Sequence, residues 1–147
     1  MTAANQANID SLKSILGKTF RLYVQTHGYH WNVEGPEFRQ LHALFEEHYT
    51  NLWGALDEIA ERIRILGAHA PGSIADLATL GGPEAAPAQS ADAMMAALIE
   101  AHMAMAADLR AAIATAQEAE DEVSAGFLTD RLEWHEKELW MMKASRA

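Results

Sequence analysis

The sequence predicts an all-α protein: a four-helix bundle with a long crossover that contains a short helix. Three observations predict it. Apolar residues recur at helical period through four long stretches, and no stretch shows the two-residue alternation of a strand. Capping residues sit where several of those stretches begin and end. Residues 68–90 instead hold Pro71, Gly72, Gly81, Gly82, Pro83 and Pro87, the composition of a long connection. Half of the 147 residues are hydrophobic, which suffices for the core of a single domain spanning residues 1–147.

The first helix is expected over Asn5 to Asn32, with Asn5 or Asn8 as its cap and Ile9, Leu12, Leu16, Tyr23 and Thr26 on its buried stripe. His27 and His30 lie near its end, and His27 reads as a surface or supporting residue. The second helix is expected over Pro36 to Leu66. Proline suits the first helical position, and Gly67 stands where a glycine C-cap belongs. Its apolar stripe is Leu41, Phe45, Leu52, Leu56, Ile59, Ile63 and Leu66. Ser73-Ile74-Ala75-Asp76 has the form of a capping box and predicts a short helix over Ser73 to Leu80.

Ser90 is expected to cap a third long helix running to about Glu120, with Met94, Leu98, His102, Met105, Leu109, Ile113 and Ala116 facing the core. Its many alanines favour the helix and permit close packing. His102 has no carboxylate at i±4 and reads as a core or interface histidine, and the methionines read as gap-filling core. The fourth helix is expected over Ser124 to Lys143, with Leu128, Leu132, His135, Leu139 and Met142 on its stripe and Trp134 and Trp140 as packing residues.

The chemistry lies on the second helix. At 100° per residue, His42, Glu46, Tyr49, Trp53, Asp57 and Glu61 share a face set roughly 110° from the apolar stripe. His42 and Glu46 are neighbours at i,i+4, as are Asp57 and Glu61. The two pairs are centred 15 residues apart, roughly 22 Å along the axis, too far for one metal cluster. A two-fold axis resolves this. If the same helix of a second copy crosses antiparallel near Asn51 and Leu52, residue i faces residue 103 − i. His42 then meets the second copy's residue 61, and Glu46 its residue 57. Gly54 beside the crossing permits close approach, and the isologous contact generates two equal sites. His30 adds a second imidazole from the preceding segment. Nitrogen and oxygen donors without thiolate suit iron, manganese or zinc, and open positions on iron suit redox chemistry.

The run His30-Trp31-x-Val33-x-Gly35, with Leu41-His42-x3-Glu46 and Asp57-x2-Ala60-Glu61-Arg62 after it, resembles the Dps family of mini-ferritins. The specific motifs sit in residues 30–67, and length and helix order agree along the chain. The resemblance implies that His30, His42 and Glu46 of one subunit and Asp57 and Glu61 of its two-fold mate bind two irons per site. It implies that Trp31 stands beside the iron. It implies a ferritin-like fold and a hollow dodecamer that oxidises Fe(II), preferably with hydrogen peroxide, and stores ferric mineral, protecting DNA. Glu46 departs from the pattern, since many members carry aspartate there. The longer arm keeps the charge and alters the spacing.

Composition narrows the alternatives. There is no cysteine, hence neither a disulfide framework nor a thiolate site. Met1 to Asp10 shows no basic region followed by an apolar run, and Ala93 to Ala107 is interrupted by Glu100 and His102, so a cytoplasmic protein without a membrane span is expected. Glu118, Glu120, Asp121 and Glu122 form an acidic junction, expected as either a solvated helix end or a cation gateway around a three-fold axis, with Asp130 joining it. An ordinary ferritin would carry Glu-x-x-His pairs inside its bundle, and none occurs. A nucleoid-coating protein is the alternative function. The net charge of −10 and the absence of lysine or arginine before Lys13 speak against direct DNA binding.

Overall fold

The computed structural model describes residues 1–147. It consists of α1 (Ala3–Asn32), α2 (Phe38–Ile65), α3 (Ile74–Gly81), α4 (Ala91–Glu118) and α5 (Glu122–Ala144), with no strand. α1 packs on α2, α4 on α5, and α1 also meets α3 and α4. The core runs between the four long helices and centres on Leu12, Phe45, Leu52, Ile59, Leu98, Leu109 and Leu128, all essentially inaccessible to solvent.

Helix ends follow local hydrogen-bonding chemistry. Thr2, not Asn5 or Asn8, caps α1: its hydroxyl accepts from the Asn5 N–H at 3.1 Å. Asn8 is instead buried and donates to Asp121 across the bundle at 3.0 Å. α2 begins at Phe38 rather than Pro36, because Gly35 to Phe38 form a turn closed by the Phe38 N–H on the Gly35 carbonyl. Gly67 ends α2 at φ +97, and the Ala68 N–H reaches back to the Ile63 carbonyl, the pattern of a left-handed glycine cap. Ser73 and Ser90 cap α3 and α4 by accepting from the Asp76 and Ala93 N–H groups. α4 stops at Glu118, because Glu120 takes φ +57 and turns the chain. Asp121 then caps α5, which starts two residues before the expected Ser124.

The crossover is held by one close approach. A Cβ on Gly81 would lie 2.7 Å from the Gly17 carbonyl oxygen, and one on Gly17 would collide with Leu80. Only glycine at both positions lets α3 lie this close to α1. That contact anchors the chain as it passes from α2 to α4.

Candidate metal centre

His30 lies in the last turn of α1 and His42 in the second turn of α2, and the short connection between the helices folds one onto the other. The His30 Nδ1–H donates to the His42 carbonyl at 2.7 Å, and the His42 Nδ1–H donates to the His30 carbonyl at 2.7 Å. A carbonyl only accepts, so each Nδ1 must carry the proton. In the neutral ring that leaves Nε2 as a bare lone pair, the form a metal requires. The His30 carbonyl belongs to the last turn of α1, where carbonyls lack helical partners, so the same bond also closes that end. The rings stack at 3.7 Å and 14°, and Phe38 covers His42 at 4.9 Å. His30 is buried, His42 half-buried and Glu46 exposed, with Glu46 Oε1 4.0 Å from His30 Nε2.

Aromatic residues back the pair. Tyr49 meets His30 edge-on at 5.1 Å. His27 stacks on Tyr49 at 3.8 Å and accepts or donates a hydrogen bond with the Tyr23 hydroxyl at 2.9 Å. Burial pushes the His27 pKa down, with the neighbouring His30 acting in the same direction, so the ring stays neutral beside the pair. Trp31 lies 4.2 Å from His27 and Trp53 5.4 Å from Tyr23 by ring centroids. Both indoles are about two-thirds exposed on this face, a large apolar area for a free surface.

Asp57 and Glu61 project from the same side of α2, both exposed. Their midpoint lies roughly 22 Å along the helix from that of His42 and Glu46. The structure thus sets His30 and His42 side by side with Glu46 4.0 Å from His30, packs Trp31 against His27 rather than against the pair, and leaves Asp57 and Glu61 apart from them. No group of three or more histidine or acidic side chains converges on one point within the chain.

The acidic junction divides. Asp121, expected in a cation gateway, is bound within the chain. It accepts from Arg62 at 2.9 Å, from the Ser124 backbone at 3.0 Å and from Asn8. Burial alone would raise its pKa, but the bonds from Ser124 and Asn8 and the Arg62 charge together hold it below the usual carboxylate range. Glu122 and Asp130 remain exposed.

Sequence reasoning passed over His48. It is buried on α2, with Nε2 2.9 Å from Glu138 Oε2 of α5. The signal was present, because His48 continues the stripe Leu41, Phe45, Leu52, Ala55, Ile59 and Ile63 that faces the core. His102 and His135, both expected on core stripes, are buried and joined Nδ1 to Nδ1 at 2.9 Å.

Four long helices with a crossover between the second and third, carrying imidazoles and carboxylates on the second, define a ferritin-like protein. The model of the ferritin-like domain matches residues 9–146. An uncharacterised low-temperature-induced protein of Nostoc is 40% identical over 95% of this chain and 79% of its own length. The DNA protection during starvation protein of Brevibacillus brevis is 36% identical over 84% of this chain and 83% of its own length. The crystal structure of a Dps protein from Bacillus brevis superimposes with a TM-score of 0.96 at 32% identity, over 100% and 99% of the two chains. The Vibrio cholerae Dps, described as one of the ferritin-like diiron-carboxylate proteins, superimposes at 0.92 with 31% identity, over 98% and 91%. The chain belongs to the Dps family.

Proposed function

We propose that the chain is a ferroxidase and iron-storage protein, a single domain that assembles, as a dodecamer built from two-fold dimers, around sites shared between subunits. His30, His42 and Glu46 bind Fe(II) from one side, and Asp57 and Glu61 of the two-fold mate close the site. The observation that carries this reading is the reciprocal His30–His42 bond, which presents two lone pairs side by side in one fixed tautomer. The spacing of the acidic pair on α2 supports the two-fold register, as do the exposed Trp31 and Trp53, which a second copy would cover. No helix is long and apolar enough to cross a membrane, and a cytoplasmic location fits the chemistry.

Two Fe(II) at one site give one electron each to hydrogen peroxide. The O–O bond breaks, two protons are taken up, and two waters and two Fe(III) result. Pairing the electrons avoids release of hydroxyl radical. Three carboxylates favour the Fe(III) product, and Trp31, the residue after His30 and 4.2 Å from His27, is the candidate to intercept a stray oxidising equivalent. Glu122 and Asp130 are the gateway candidates left free by the capping role of Asp121. DNA is protected by removal of iron and peroxide. Coating of DNA, the alternative, finds no basic tail among residues 1–12 and works against a net charge of −10. The deciding experiment is stopped-flow oxidation of Fe(II) by peroxide and by oxygen separately. Faster turnover with peroxide, at two irons per peroxide, is expected, whereas iron oxidation no faster than in buffer would end the proposal.

A further inference from the structure

We propose that α1 and the crossover form a binding site, made of none of the iron ligands, for a neutral aromatic molecule of phenol or naphthol size that carries a hydroxyl. The site follows from how the crossover is held. The Gly17–Gly81 contact pins the end of α3 to α1. Ser90 fixes the start of α4. Between these anchors, residues 83–89 make no backbone–backbone hydrogen bond. This strap stands off α1 and leaves a cavity of about 370 Å³ beneath it.

Size and lining choose the body of the ligand. The volume lies at the small end of ligand cavities, which suits one ring or two fused rings. Phe20, Val24 and Tyr29 of α1 line it with Ile74 of α3 and Pro87 of the strap. Val24 and Ile74 are 48% and 78% exposed, apolar surface that a bound ring would take from water. Phe20 and Tyr29 offer aromatic edges and faces for a ring to pack against. Arg21 and Glu84 also line the cavity, one charge of each sign, so neither a cation nor an anion is favoured.

The Gln25 amide, which also lines the cavity, supplies the polar contact. Its Nε2 donates to the Tyr29 hydroxyl at 3.1 Å. Its Oε1 is fully buried and has no hydrogen-bond partner. Buried polar atoms are nearly always paired, so this one calls for a partner beneath the strap. A hydroxyl serves whichever way the amide is turned, because it donates to the oxygen or accepts from the nitrogen. A hydrocarbon can do neither, and a carboxylate can only accept.

The test titrates the assembled, metal-free protein with naphthol, followed by the fluorescence of the ligand. One equivalent per chain is expected, with a rise in thermal midpoint as the ligand ties the strap to α1. Naphthalene, which lacks the hydroxyl, should bind about 5-fold weaker or worse. Gln25→Leu should remove that difference. Val24→Trp, at a half-exposed position that tolerates a larger side chain, should fill the cavity and abolish binding of both compounds. Crystals of the unsubstituted protein soaked with bromonaphthol supply a reading that does not depend on a variant folding, with a bromine anomalous peak expected between α1 and the strap. Naphthol binding that survives Val24→Trp, equal affinity for naphthol and naphthalene, or a bromine peak elsewhere would overturn the site. Absence of binding because a second copy covers the cavity would do so too.

Discussion

His30 and His42 each donate Nδ1–H to the other's backbone carbonyl, both at 2.7 Å. The bond fixes tautomer, ring plane and separation at once, before any metal arrives. His42→Ala should therefore cut peroxide-driven Fe(II) oxidation by at least the 10–100-fold that loss of a mere supporting partner costs a metal site. The helices should persist, because His42 is only half-buried. Stopped-flow absorbance of Fe(III), read beside circular dichroism, separates the two effects. Unchanged oxidation would remove His42 from the site.

The shared site makes a sharper demand on mixtures. His42→Ala and Asp57→Asn chains should each be nearly inactive alone. In a mixed dimer, one site loses both substituted ligands and the other keeps a full native set. Co-refolded protein should then recover activity in proportion to its mixed dimers, counted by native mass spectrometry. Mixed oligomers with no recovery would place the ligands in a different register.

Two glycines should respond differently. A Cβ at Gly17 meets the Gly81 nitrogen at 2.8 Å, so Gly17→Ala should destabilise the folded chain by about 1–3 kcal/mol. A Cβ at Gly54 meets nothing within 4 Å in its own chain. Gly54→Leu should leave each bundle folded, improve the helix propensity of α2 slightly and block the antiparallel crossing. Analytical ultracentrifugation should show loss of the two-fold dimer, and an intact assembly would contradict the crossing near Asn51.

Acid should weaken the core through its histidines. Burial, with the charges of His48 and Arg131 behind it, pushes the His102 pKa down to about 3, and burial likewise pushes His135 well below its ordinary value. Both are neutral in the fold at neutral pH. As pH falls below about 6.5 the unfolded chain takes up protons that the folded chain refuses, so stability drops from there toward pH 3. Each such histidine contributes a slope of up to about 1.4 kcal/mol per pH unit, and none above pH 7. Denaturation midpoints of metal-free protein between pH 7.5 and 4.5, at fixed protein concentration, should show this fall. His102→Phe should flatten it, and an equal slope in that variant would refute the assignment.

DNA should not be retarded. The chain has 11 basic residues against 21 acidic ones, and assembly multiplies the negative charge. No gel shift of plasmid DNA is expected at physiological salt with a chelator present, while nicking by Fe(II) and peroxide should still be suppressed. Salt-sensitive retardation under those conditions would reveal a basic surface. Loss of protection in His42→Ala would tie protection to iron oxidation.

The sequence by itself determined the helices and the face that carries the chemistry, because both are periodic and local. Ser73, Ser90 and Gly67 act through bonds spanning three to five residues, and the side chosen by His42, Glu46, Asp57 and Glu61 follows from 100° per residue alone. The motif of residues 30–67 was likewise enough to find the family. Tertiary structure decided what depends on residues far apart in the chain. It paired Asp121 with Asn8 across 113 positions and with Arg62 across 59, which tied one of the candidate gateway carboxylates into the bundle. It set Gly17 against Gly81, and it closed His48 against Glu138 across 90 positions. The stripe at helical period marked His48 as buried. Only packing could show which of its nitrogens has a partner, because that is settled by the one carboxylate of another helix that lies within reach.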